Sequence, residues 1–271
     1  MSMRVVLAEA TKDLKVYFFS SRTLFWTLAL PLANGLYLYF LYLPFAAKSV
    51  DLQFISTNRR IDLIGFTVVG QLLYTFFTMM LLAGAAFDVE RWQGTLETVL
   101  LSPANRIAIL LGGALANALN YMWMLVALVL SWVAFIRINV FITDFLALSL
   151  SFLLSYLAII ALGMCLEAFF IYSRRGSMIV AWFQEPIMFL SGQVFPLQSM
   201  PTILLPLSYL LPLTFGLIAV RLTLLGGATL TEVAVPLVAL AIMAVSFSIL
   251  AKLMVNYAER HAKAKATLTM F

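Results

Sequence analysis

The stretch DFLALSLSFLLSYLAIIALGMCLE, residues 144–167, carries no charged side chain between Asp144 and Glu167. A helix rises ~1.5 Å per residue, so about 20 apolar residues cross a hydrocarbon core ~30 Å thick. This stretch meets that length, and it is not alone. Charge-free runs of similar size lie between Arg22 and Lys48, Asp62 and Asp88, Arg106 and Arg137, and Glu232 and Lys252. A sixth apolar region, 177–213, is broken by Glu185 and by several prolines. The expectation is an all-α polytopic membrane protein of six transmembrane helices.

Composition agrees with that reading. Of 271 residues, 63% are hydrophobic and 11% charged, with a mean hydropathy of +1.03. A soluble domain of this length needs a charged surface that the chain lacks. The net charge of +5 is not the signature of a nucleic-acid binder, because the basic residues flank the apolar runs. With both termini inside, twelve of the 17 Lys and Arg fall on the cytoplasmic side, and Lys48, Arg59, Arg60, Arg137 and Arg221 fall outside. That bias favours cytoplasmic termini. The first apolar run, from about Leu24, is long enough to remain as a span, so no cleaved leader is expected.

The expected order follows the charges. Residues 1–23 form an amphipathic interfacial helix, mixing Val5, Val6 and Leu7 with Arg4, Lys12 and Lys15. The transmembrane domain covers 24–256, with spans near 24–46, 63–87, 103–135, 143–171, 177–195 and 233–256. Residues 47–62 are a polar external loop, and 257–271 a basic cytoplasmic tail. The segment 202–213, bounded by Pro201 and Pro212, is too short to cross and reads as a re-entrant or interfacial helix within an outer region of about 196–231.

Catalytic machinery is hard to find. No glycine precedes a lysine, so the chain has no phosphate-cradling P-loop. His261 is the only histidine and Cys165 the only cysteine. A multi-histidine metal site and an intrachain disulfide are thereby excluded, and a serine–histidine pair is disfavoured because a histidine in the tail has no expected partner. Cys165, inside an apolar run, reads as a small packing residue. The absence of an internal repeat weighs mildly against an inverted-repeat carrier.

The segment 88–101 is the informative one. On a helix, Trp92, Leu96, Val99 and Leu100 share one face, and Glu90, Arg91, Gln93 and Glu97 surround it. Such a helix either inserts into a groove of a cytoplasmic partner or lies flat on the membrane; amphipathicity alone leaves both open. Glu185 sits mid-span beside Gln184 and before Pro186. A central charge costs about 2.5–3.5 kcal/mol on insertion scales, which makes it a candidate for the transport path, a gate or a structural contact at a helix break. Asn117 and Asn120 are candidates for path-lining or, more simply, interhelical hydrogen bonding.

Two stretches carry a family resemblance. ERWQGTLETVLLSPANRIAILLG (90–112) closely resembles the signature of ABC-2 type transporter permeases, with its acidic start, Gly-Thr-Leu-Glu core, Ser-Pro, basic residue and Leu-Gly. SGQVFPLQSMPTILLPLSYLLPLTFGLIAVRLTLLGG (191–227) resembles that family's fifth-span exit and outer re-entrant region. The resemblance implies that 88–101 is a coupling helix docking on a separate ATPase, through Glu90, Arg91 and Glu97 as polar contacts and Trp92 and Leu96 as anchors. It also implies a pair of permeases, identical or different. The chain itself would need no cofactor, with ATP and magnesium bound by the partner ATPase. The implied cargo is an amphipathic drug, lipid or lipid-linked molecule, with a polysaccharide as runner-up. An ATPase-independent secondary transporter or a membrane scaffold is the reading from a different class.

Overall fold

The computed structural model describes residues 2–13, 49–54, 57–83, 142–170 and 176–265, with isolated positions between them. Seven α-helices and one β-hairpin lie in this part: α1 (Ser2–Asp13), β1 (Ser49–Phe54), β2 (Thr57–Asp62), α2 (Leu63–Ala83), α3 (Phe145–Phe170), α4 (Gly176–Leu190), α5 (Leu205–Tyr209), α6 (Pro212–Leu224) and α7 (Ala234–Lys265). A single 3-10 turn, Leu197–Ser199, separates α4 from α5.

Among the described residues, two helices are long and apolar enough to cross a membrane, over Phe145–Leu166 and Ala234–Met254. They pack side by side, and the Cys165 thiol lies 3.8 Å from the sulfur of Met254, about the same distance along each helix. At their other end, Asp144 meets Leu230 just before α7 begins. The two helices therefore run parallel. Arg221 binds both Phe66, near the start of α2, and Gly192, just past the end of α4. The starts of α2, α3 and α7 and the end of α4 thus gather at one end of the bundle.

The core sits where α6 wedges among α2, α3 and α7. Phe66, Leu73 and Phe77 of α2 bury against Leu213, Leu217 and Val220 of α6 and Ile159 of α3. The α3–α6 contact is built from small residues. Ala147, Ser151 and Ser155 recur every fourth position and are fully buried, and a Cβ on Gly216 would stand 2.7 Å from Ser155 Oγ. Small side chains let helix backbones approach closely, the packing mode of helices in lipid. Ser151 and Ser155 donate to the carbonyls four residues earlier, at 2.7 and 2.6 Å, so neither hydroxyl is left unpaired.

Among the described residues, large apolar side chains also lie on the outside of the bundle. On α7, Val235, Val238, Ile242, Val245, Ile249 and Leu253 form an exposed stripe, and Trp182 of α4 is 78% exposed. In water such a surface invites aggregation; in a bilayer it is the required solvent face.

Several expected boundaries change. The external loop 47–62 contains a hairpin: β1 and β2 pair antiparallel, with Ser49 opposite Asp62 and Phe54 opposite Thr57. Its sequence alternates Val50, Leu52 and Phe54 with Ser49, Asp51 and Gln53, the period of a strand. The span placed at 177–195 stops as a helix at Leu190, because Gly192 takes a left-handed φ of 78° that ends it. Pro212 begins a helix rather than bounding one. Leu211 before it is extended, as a residue preceding proline prefers, and α6 then continues to Leu224. The helix placed at 202–213 is thus a short α5 followed by only the first two residues of a separate α6. The last helix extends to Lys265, well into the stretch assigned to a tail.

Candidate functional site

Arg221 stands in the last turn of α6 and is only 3% exposed. The charge-bias reading counted it among the external bases; the structure buries its side chain between helices. Its Nε donates to the carbonyl of Phe66 at 3.1 Å, Nη1 to Gly192 at 2.8 Å and Nη2 to Gln193 at 2.8 Å. The guanidinium carbon lies 3.4 Å from the centre of the Phe66 ring, a cation–π contact. Gly70 makes this possible: a Cβ there would overlap Nη2 and sit 2.8 Å from the Gln193 carbonyl.

The logic is that of a helix end. Past Leu190 the chain turns through Ser191 and Gly192, leaving carbonyls that no further helical turn can satisfy. A cation at a helix C-terminus is favourable, and here a planar donor fork reaches two consecutive carbonyls. One side chain therefore ties α6 to α2 and to the exit of α4.

A polar ladder continues from it. Gln193 Nε2 donates to Gln71 Oε1 at 2.9 Å, and Gln71 Nε2 to Thr75 Oγ1 at 3.3 Å. One turn deeper, the Tyr74 hydroxyl donates to the Gln184 carbonyl at 3.2 Å, a second link between α2 and α4. Beside Arg221 lies a partly open cavity of about 180 Å³, walled by Phe66, Ser191, Leu205, Tyr209, Leu217 and Ile218 among others.

The same end of the bundle is closed by Asp144. Its Oδ1 accepts from the N–H groups of Leu146 and Ala147 at 3.0 and 3.1 Å, capping α3, while Oδ2 accepts from the N–H of Leu230 at 3.1 Å. These bonds, the one from Ala147 foremost, hold its pKa below the ordinary value, against the opposing effect of burial. At the entry to α7, Glu232 Oε2 accepts from the backbone N–H of Thr229 at 2.8 Å, the reciprocal half of a capping box.

Of the residues singled out from sequence, Glu185 lies on α4, exposed, one position after the residue whose carbonyl Tyr74 holds. Its neighbours Trp182, Phe183 and Phe189 are exposed too. Glu90, Arg91, Trp92, Leu96 and Glu97 of the 88–101 segment, and Asn117 and Asn120, lie outside the described residues. Sequence reasoning missed Arg221, Gly70, Gln71 and Gln193. The available signal was a lone arginine inside the apolar run VRLTLL, with no second charge beside it.

Residues 5–225 match the family model of the ABC-2 type transporter. This chain belongs to the ABC-2 type transporter family. The match covers most of the sequence and ends just past Arg221, so it takes in the 88–101 segment, the polar ladder and all of α6. No curated protein matches the chain. As an ABC-2 member it is an integral membrane component of a transporter, and not itself a P-loop enzyme.

Proposed function

We propose that this ABC-2 protein is the permease subunit of an ATP-driven exporter, forming the substrate path and passing the work of a separate ATPase into it. The observation that carries the reading is the 88–101 segment. It is amphipathic, follows the long apolar helix α2, and falls within the family match in a chain without a P-loop. Glu90, Arg91 and Glu97 supply polar contacts to the ATPase, and Trp92 and Leu96 anchor it. ATP and magnesium are bound by that partner.

Six spans place both termini in the cytoplasm of what we take to be a prokaryotic plasma membrane. The shared direction of α2, α3 and α7, opposed by α4, is what alternating spans require. At 13 residues, α6 extends about 20 Å, too short to cross, which suits a re-entrant element on the outer side. A second permease, identical or different, completes the path, and the exposed face of α4 bearing Glu185 is available to it. Glu185, Asn117 and Asn120 line or gate that path. The cargo is an amphipathic drug, lipid or lipid-linked molecule. ATP-driven closure of the ATPases biases a two-state rearrangement of the spans.

The test is co-purification. Co-expressed with candidate ABC ATPases, the wild-type chain retains one of them in detergent, and Glu97→Lys and Trp92→Ala release it. Retention by both variants would remove the docking role from this segment.

A further inference from the structure

Arg221 is buried with a full charge, yet its partners among the described residues are three neutral carbonyls and a ring face. Buried charges are stable when paired, and carbonyl dipoles satisfy hydrogen bonds without neutralising the charge. A guanidinium has five N–H donors. Among the described residues, its three bonds take one hydrogen from each nitrogen, which leaves one on Nη1 and one on Nη2.

Arg221 also forms part of the cavity wall, and the rest of that wall is chiefly apolar, with Leu197, Leu205, Leu217 and Ile218 among others beside the polar Ser191, Gln198 and Tyr209. Depth is set by the helices. Phe66 lies three residues into α2, about 4.5 Å along its axis, directly after a hairpin rich in Asp51, Arg59, Arg60 and Asp62. Ser191 lies just past the end of α4. The cavity therefore sits at the boundary between charged loop and apolar helix. In a bilayer that is the level of the headgroup phosphate and the first acyl methylenes.

We propose that this cavity seats the phosphate-bearing end of one bilayer phospholipid, with Arg221 as its counter-charge and the first methylenes against Leu205, Leu217 and Ile218. Arginine suits the task because its remaining donors can meet phosphate oxygens while the others keep hold of the protein. The seated lipid completes the neutralisation of a charge that the fold has buried to tie α6 to α2 and α4. The site belongs to the chain alone and needs no ATPase.

Native mass spectrometry of the purified full chain in neutral detergent tests this, with three probes: dioleoyl phosphatidylglycerol, dioleoylglycerol and glycerol 3-phosphate. The expected result is saturable retention of one phosphatidylglycerol per chain. Dioleoylglycerol, which lacks the phosphate, binds at least about tenfold more weakly, and glycerol 3-phosphate, which lacks the chains, is not retained. Leu205→Trp fills the cavity from the partly exposed α5 without touching Arg221, and lowers phosphatidylglycerol affinity at least about fivefold at an unchanged unfolding midpoint. Equal binding of dioleoylglycerol would overturn the role of the phosphate. Retention of glycerol 3-phosphate alone would make the site one for a free oxyanion and overturn the lipid. Unaltered binding in folded Leu205→Trp would move the lipid elsewhere. The probe comparison uses the wild-type chain and stands whether or not that variant folds.

Discussion

Replacing Arg221 by methionine keeps most of the side-chain volume and removes every donor. The carbonyls of Gly192 and Gln193 then lose the only side-chain donors they have among the described residues, both at 2.8 Å. Each buried acceptor left unpaired costs about 1–3 kcal/mol, so Arg221→Met is expected to destabilise the chain by about 2–6 kcal/mol, before any loss of the Phe66 contact. Part of the charge-burial cost disappears with the guanidinium, which favours the lower half of that range. Arg221→Lys, a point charge without the planar fork, should fall between the two. Gly70 supplies the decisive control. In the wild type, Gly70→Ala drives a methyl group into Nη2 and against the Gln193 carbonyl, an overpacking worth about 1–3 kcal/mol. In the Arg221→Met background the guanidinium is gone, and alanine's helix propensity, better by about 1 kcal/mol, offsets much of the remaining crowding. The two substitutions should therefore be strongly non-additive in a double-mutant cycle read by unfolding in detergent. Additive effects, or an Arg221→Met chain within about 0.5 kcal/mol of the wild type, would refute the clamp.

Three further outcomes follow from the same packing. Gly216→Ala should destabilise by about 1–3 kcal/mol through the 2.7 Å approach to Ser155 Oγ, and Ser155→Ala should rescue part of it in thermal unfolding. Gln71→Leu or Gln193→Leu alone strands one amide of the ladder, so the double variant should be less harmful than the sum of the singles in the same assay. Asp144 has a lowered pKa in the fold, so its stabilisation is present above its unfolded pKa of about 3.9 and is lost as pH falls through the folded value. The gap in unfolding midpoint between wild type and Asp144→Asn at pH 7 should accordingly narrow towards pH 3; a gap of constant size would contradict the cap.

The long helices were legible because charge spacing is a direct measure of what lipid tolerates. Asp144 and Glu167 bracket α3 to within a few residues at each end, and the same logic found α7. The segments around prolines were harder. Pro212 ends one pattern and begins another, and only the extended Leu211 beside it shows which role the backbone chose. The hairpin was overlooked because the polar residues of 49–62 outweighed a short alternation of Val50, Leu52 and Phe54. Arg221 was the instructive failure. A lone arginine beside an apolar run reads as a flanking charge unless its acceptors are known, and those acceptors are 155, 29 and 28 residues away. No local pattern encodes such a meeting. Gly70 gave no signal either, since its need to be small arises from a side chain on another helix.

The central claim is that this ABC-2 chain transmits an ATPase's work through the 88–101 segment. The most direct measurement is the ATP hydrolysis rate of the ABC ATPase that co-purifies with the chain, in liposomes with and without the chain. Wild-type permease should raise that rate, and Trp92→Ala and Glu97→Lys, inserted to the same level and unfolding at the same midpoint, should leave it at the ATPase-only value. Equal stimulation by wild type and both variants would contradict the account.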